Sequence, residues 1–173
     1  MDLLKVVIES ERLRLVPTSE RYAEEIFKEF TPEITRFMMA KSPKEIDETL
    51  EFIKNSNKNM KNGSELQVVI LNKETDEFIG HGGIRKLNTN TPELGIWIKK
   101  SAHGHKYGRE AVKALKEWAD DNLEYNYLEY PVDKANIPSK KIAEHLGGVI
   151  GREIKKKNMS GNILDEVEYR IYQ

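Results

Sequence analysis

Hydrophobic positions change their spacing several times along the 173-residue chain, and each change marks an element. Leu13 and Leu15 alternate with Arg12, Arg14 and Val16 and stop at Pro17, which predicts a strand within Ile8 to Pro17. Thr18 or Ser19 can cap a helix over Arg21 to Phe30, where Tyr22, Ile26, Phe27 and Phe30 recur at helical spacing. Ile34 to Met39 reads as its continuation beyond Pro32. Ser42-Pro43 predicts another helix start with proline at the first position, carrying Ile46, Leu50, Ile53 and Lys54. Glu45, Asp47 and Glu48 at that start complement the helix dipole. The polar, lysine-rich Asn55 to Ser64 reads as a solvated loop.

Two strands follow, Leu66 to Leu71 and Phe78 to Leu87, joined by turn chemistry at Asn72 to Asp76 into an antiparallel hairpin. Gly80, Gly82 and Gly83 in the second strand predict a bulge or a close backbone approach. After a turn at Asn88 to Pro92, the apolar run Leu94 to Ile98 predicts a central strand. A turn holding Gly104 leads to a helix from near Tyr107, with Ala111, Leu115, Trp118 and Ala119 on one face and Asp120 to Asn122 at its end. Tyr127 to Val132 is strand-like. Asn136-Ile-Pro-Ser139 opens a helix with Ile142, Ala143 and Leu146 inward, closed by Gly147-Gly148 as a left-handed cap. Val149 to Lys155 and Val167 to Ile171 predict a last hairpin around the polar loop Lys156 to Asp165. This is a mixed α/β (α+β) order with a mostly antiparallel sheet. With no internal repeat or low-complexity linker, one domain over residues 1–173 is expected.

Composition narrows the chemistry. The chain has no cysteine, which excludes disulfides, thiolate zinc sites and a cysteine nucleophile. A net charge of −1 offers nothing to recruit nucleic acid or an anionic membrane. No apolar run approaches transmembrane length and no signal-like segment opens the chain, so a cytoplasmic protein is expected. No metal site is expected either.

Strand, short loop and helix over Glu93 to Leu115 is a geometry suited to phosphate, because the first helical N–H groups lack partners and the dipole adds positive charge. Two stretches then carry a family resemblance: His103-Gly-His-Lys-Tyr-Gly-Arg109, and Asn136-Ile-Pro-Ser139 through Leu146-Gly147. Together they resemble the GCN5-related N-acetyltransferase (GNAT) superfamily, and within it the RimJ/RimL-like ribosomal-protein N-terminal acetyltransferases. Glu11-Arg-Leu-Arg-Leu15 is similar to the first strand of that branch, with Ser10 and Val16 where Thr and Arg are usual. The similarity runs from Ser10 to Ile171.

This resemblance implies a twisted sheet with a splayed central strand pair and flanking helices, acetyl-CoA as co-substrate, and direct acetyl transfer to a primary amine in a ternary complex. The acceptor is a protein N-terminus, such as that of a ribosomal protein, or a small amine such as a polyamine, aminoglycoside or amino acid. Homodimers are common in the branch, and exposed aromatics could pair two copies. The backbone of Ile96, Trp97 and Ile98 would run beside the pantetheine, and the amides of His103, Gly104, His105, Lys106, Tyr107, Gly108 and Arg109 would hold the pyrophosphate. On the family motif Arg/Gln-x-x-Gly-x-Gly/Ala, His103 stands at Arg/Gln, Lys106 at the first glycine and Gly108 at Gly/Ala. Lys106 either adds positive charge or crowds the phosphate.

Ser139 stands where RimL-like proteins place a serine near the sulfur; its other reading is a first-turn cap. Other branches use a tyrosine seven positions after the asparagine, where this chain has Ala143. Asn136 either bonds the pantetheine or caps its own helix, and Lys140 and Lys141 are candidates for the nucleotide phosphates. Glu93 is the first candidate for general base and His81 the second. Glu24, Glu25, Glu29 and Glu33 would favour a cationic acceptor if they faced the cleft. The alternative reading is a catalytically degenerate CoA-binding regulatory or scaffold domain. A nucleotide-binding regulator, which leaves Asn136 and Ser139 without a role, is the weakest.

Overall fold

In the computed structural model, which describes residues 1–173, eight strands form one continuous sheet. They are β1 (Ile8–Glu9), β2 (Leu13–Pro17), β3 (Leu66–Asn72), β4 (Phe78–Arg85), β5 (Glu93–Ile98), β6 (Leu128–Asp133), β7 (Val149–Lys157) and β8 (Ile163–Ile171). The helices are α1 (Ala23–Glu29), α2 (Pro32–Thr35), α3 (Ile46–Lys61), α4 (Tyr107–Asn122) and α5 (Ile137–His145). The sheet order is β1-β2-β3-β4-β5-β6-β8-β7, and every neighbouring pair is antiparallel except β5 and β6. That parallel pair has a single register match, Glu93 with Glu129. On its other edge β5 stays paired with β4 from Glu93 to Ile98. The sheet therefore opens between β5 and β6, as expected of a splayed central pair.

Side-chain alternation sends each strand into two cores. Leu66, Val68 and Ile70 of β3 meet Ala111, Leu115 and Ala119 of α4 on one face. Val69 and Leu71 meet Ile26 of α1 and Ile53 of α3 on the other, together with Phe78 and Trp97. The glycines of β4 allow tight lateral packing. A Cβ at Gly80 would lie 2.2 Å from the Trp97 carbonyl, and one at Gly83 2.1 Å from the Leu66 carbonyl. A bulge is present as well: Ile70 pairs with Gly80 and Leu71 with Phe78, which leaves Ile79 unpaired. The extra residue turns Ile79 toward α4 while His81, opposite Trp97, stays on the α1/α3 face.

Several expectations are corrected. Ile8 to Pro17 holds two short antiparallel strands rather than one, because the chain reverses between Glu9 and Leu13, and the helix at Pro32 ends at Thr35 instead of running on to Met39. The helix after Ser42-Pro43 starts at Ile46, where Glu48 Oε2 reaches back to the N–H groups of Lys44 (2.5 Å) and Glu45 (3.0 Å). It continues to Lys61, so most of Asn55 to Ser64 is helix rather than loop. Thr49, Ile53, Ser56 and Met60 maintain an inward stripe that the polar outer face conceals. The last hairpin is also longer than predicted, its connection shortened to residues 158–162 because β7 and β8 stay in register from Lys157–Ile163.

Candidate active site

The mouth of the splay is held by charge. Glu93 and Glu129 face each other across β5 and β6, and Lys86 lies 2.9 Å from the first and 3.0 Å from the second. Arg85 pairs with Glu93 from the same side. Partial burial is the largest single influence on Glu93 and opposes its ionisation, but Arg85 and Lys86 outweigh it and leave the carboxyl below its ordinary value. Lys86 is held above its own, chiefly by its hydrogen bond to Glu93. Both Glu93 oxygens are engaged, Oε1 by Arg85 and Oε2 by Lys86, which ties the start of β5 to the end of β4 and leaves neither oxygen free for a substrate proton.

Past Ile98, a 3₁₀ turn over Lys100–Ala102 and a short loop lead into α4. Gly104 (φ 85°) and Lys106 (φ 61°) both take left-handed backbone conformations. Lys106 thus adopts the conformation that glycine adopts most readily, at the position where the motif has glycine. No side chain caps α4, which leaves its first-turn N–H groups as donors. His103 differs from expectation: its N–H goes to the Lys100 carbonyl (3.1 Å) and its ring to the Ile98 carbonyl (2.7 Å). Its amide closes the 3₁₀ turn instead of facing outward with the others. His105, Lys106 and Lys141 are exposed, and Tyr107, Gly108 and Arg109 half-buried. A Cβ on Gly108 would come within 3.1 Å of Ile142 Cδ1, which is how closely α4 approaches α5.

An N-terminal clamp that sequence reading missed braces this loop. Glu110 accepts hydrogen bonds from Ser10 Oγ (2.6 Å), Arg12 N (2.7 Å) and Arg12 Nε (2.7 Å). The Arg12 guanidinium also lies 4.5 Å from the centre of the Tyr107 ring. Burial opposes ionisation of Glu110 most strongly, yet the bonds from Ser10 and Arg12 together hold it below the ordinary carboxyl range.

Within the gap between β5 and β6, a cleft of ≈110 Å³ brings Tyr130, Asn136, Ser139 and Glu166 together. Asn136 Oδ1 accepts from Ser139 N at 3.4 Å, so its carbonyl oxygen caps α5. Tyr130 is buried, which pushes its phenol up to about 12 against the opposing effect of the Ser139 hydroxyl. It stays protonated at neutral pH. Nothing in the sequence marked Tyr130, because an inward tyrosine on a strand looks like core. Glu166 Oε1 is buried without a hydrogen bond; the Lys156 ammonium lies 2.7 Å away, off the direction of a hydrogen bond.

Met38, Arg85, Gly95 and Ile96 line both this cleft and a larger chamber of ≈360 Å³ beside α1 and α3. His81 lines it, with its ring nitrogen Nε2 2.8 Å from the buried Thr18 hydroxyl. Burial lowers the His81 pKa from 6.5 to about 4, so the ring is neutral at physiological pH. The β7–β8 connection closes over the chamber: Met159 N donates to the Met39 carbonyl (2.9 Å) and Asn158 Nδ2 to that of Met38 (3.2 Å). Glu24, Glu25, Glu29 and Glu33 are not among the lining residues.

Residues 12–149 match the acetyltransferase (GNAT) domain family. The chain belongs to that family. The match covers most of the chain, and both the turn before α4 and the α5 start lie within it. An uncharacterized N-acetyltransferase p20 of Bacillus licheniformis is 27% identical over 117 residues, 66% of either chain, so the match spans just under two thirds of that relative. Among solved structures, the RimL ribosomal L7/L12 alpha-N-protein acetyltransferase superposes with a TM-score of 0.85 at 14% identity, covering 97% of this chain and 94% of RimL. Spermidine N-acetyltransferase from Vibrio cholerae, in complex with CoA and spermine, superposes at 0.82 and 17% identity over 95% and 97% of the two chains. At such identities these two establish the GNAT fold. The GNAT chain described here has features that fit a CoA thioester: a parted strand pair, uncapped helical donors and a left-handed turn beside them.

Proposed function

We propose that the protein transfers the acetyl group of acetyl-CoA to a primary amine by direct transfer in a ternary complex. One observation carries this reading: the β5/β6 gap opens on a cleft that shares Met38, Arg85, Gly95 and Ile96 with a chamber holding an uncharged histidine, while the uncapped start of α4 follows β5 in the chain. The CoA thioester, when bound, supplies the activated acyl group and a thiolate leaving group. Gly104 through Arg109 hold the diphosphate through backbone donors, and Ile96, Trp97 and Ile98 offer the free edge of β5. Lys141 is available to the nucleotide phosphates. Ser139, beside the protonated Tyr130, returns a proton to the thiolate. His81 takes the proton of the amine through Nδ1, since Nε2 is engaged by Thr18. Two copies associating as a homodimer is also part of this proposal.

Calorimetric titration with acetyl-CoA, followed by thiol release over a panel of amines, tests the reading. Micromolar binding and turnover with at least one amine are expected; absence of binding at high micromolar concentration removes the proposal. A second reading, a CoA-binding scaffold without chemistry, draws on His103, whose amide and ring are both engaged by backbone carbonyls, and on Lys106 at a glycine position. Binding without turnover on any amine would select it. Ser139→Ala is expected to lower kcat about a hundredfold while the acetyl-CoA dissociation constant changes less than twofold, an effect at the low end of general acid catalysis.

A further inference from the structure

The chamber has a composition that its proton-transfer role leaves unused. Its rings form one connected array, with centroid separations of 4.9 Å for Phe30–Trp97, 6.3 Å for His81–Trp97 and 5.4 Å for Phe52–His81. Met38 and Met159 add adaptable apolar wall. Among the charged groups, Arg85 is neutralised by Glu93, and Glu48 shares its carboxylate between two backbone N–H groups. Lys41 joins no ion pair and sits near Glu48. Each charge on the wall thus stands beside an opposite one, Arg85 with Glu93 and Lys41 with Glu48, so no carboxylate is in excess to receive a second ammonium. At ≈360 Å³ the volume lies near the lower end of the roughly 300–1,000 Å³ typical of small-molecule sites.

We propose that this chamber selects a compact amine whose remaining body is aromatic or branched apolar and carries no second positive charge, in preference to polyamines and peptide N-termini. The amine's acetylation rests on the transferase reading above; its binding does not. Trp97 allows the two to be measured separately, because the chain has only two tryptophans and the other, Trp118, lies in α4. In a Trp118→Phe background, phenethylamine is expected to change Trp97 emission saturably, and spermidine is not. In acetyl-transfer assays phenethylamine should exceed spermidine at least tenfold in kcat/KM, and also exceed a tripeptide beginning with phenylalanine.

Phe52 is 41% exposed at the chamber mouth, so its replacement spares the core. Phe52→Ala should raise KM for phenethylamine about tenfold and leave that for ethylamine within twofold. Phe52→Glu should raise kcat/KM for spermidine at least fivefold. Spermidine or the peptide outperforming phenethylamine in the unmodified protein overturns the inference, as does an equal loss on all amines in Phe52→Ala. Saturable Trp97 quenching without any acetyl transfer would uphold the chamber's selectivity and overturn the transferase reading instead.

Discussion

At the scale of single residues, conformation and protonation decide more than residue type. Lys106 is a lysine in a glycine's conformation, and a non-glycine residue there costs about 1–2 kcal/mol. Glycine would relieve that strain but would gain freedom in the unfolded chain, which returns about 0.4–1 kcal/mol of the difference. Lys106→Gly is therefore expected to raise Tm by about 1–3 °C for a chain of this size, read by differential scanning calorimetry. If the lysine side chain also meets phosphate, the same variant will show weaker CoA binding with a shallower dependence on salt. His81 is the corresponding case for protonation. His81→Gln keeps a partner for Thr18 but removes the titratable nitrogen, and should lower kcat about tenfold to a hundredfold with acetyl-CoA affinity unchanged. The lower end of the usual range is appropriate, since a base with a pKa of about 4 is a weak one.

Among elements, the decisive feature is where β5 and β6 stop pairing. Lys86 bridges Glu93 and Glu129 at their single register match, so one ammonium compensates two largely enclosed carboxylates. Removing it leaves two like charges facing each other. Lys86→Met is expected to destabilise the protein by about 1–3 kcal/mol, less than for a fully buried pair because the lysine is half exposed. The variant should lose least at low pH, where protonation relieves the repulsion; equal losses at pH 5 and pH 8 in thermal melts would contradict this account. A second inter-element tie, Glu110 to Ser10 and Arg12, joins the first strands to the start of α4. Glu110→Gln should weaken CoA binding several-fold without touching any group that faces the chamber, as loss of a charge-assisted bond of about 1.5–3 kcal/mol is partly absorbed by loop motion.

For the whole molecule, stability should fall as pH drops below neutrality. His81 has a folded pKa of about 4 against an ordinary 6.5, so between those values the unfolded chain takes up a proton that the folded one refuses. Stability is complete above about 6.5 and falls as pH drops, by at most about 1.4 kcal/mol per pH unit from this one group. Glu93 and Glu110, both lowered, contribute stability above their ordinary values that is lost as pH falls through their folded values. The expected profile is a Tm flat between about pH 7 and 9 that declines from about pH 6.5 and more steeply below 4.5, with a separate alkaline decline from Lys86 and Tyr130, whose folded values are raised. In His81→Gln the first part of that decline should disappear while the second remains.

Read alone, the residues determined the order of strands and helices, the turn at Gly104 and the α5 start at Asn136, because periodicity and capping chemistry are local. They also determined the family, through motifs that are short and contiguous. The length of α3 escaped because its inward stripe includes Ser56, a residue whose burial depends on what packs against it. Only the tertiary structure shows which groups meet at the candidate site. Arg85 and Lys86 occupy both oxygens of Glu93 and no cation reaches His81, which is why His81 is the base proposed above. Tyr130, Glu110 and the aromatic chamber depend on residues brought together from distant parts of the chain, and electrostatics and burial are set by those neighbours rather than by sequence position.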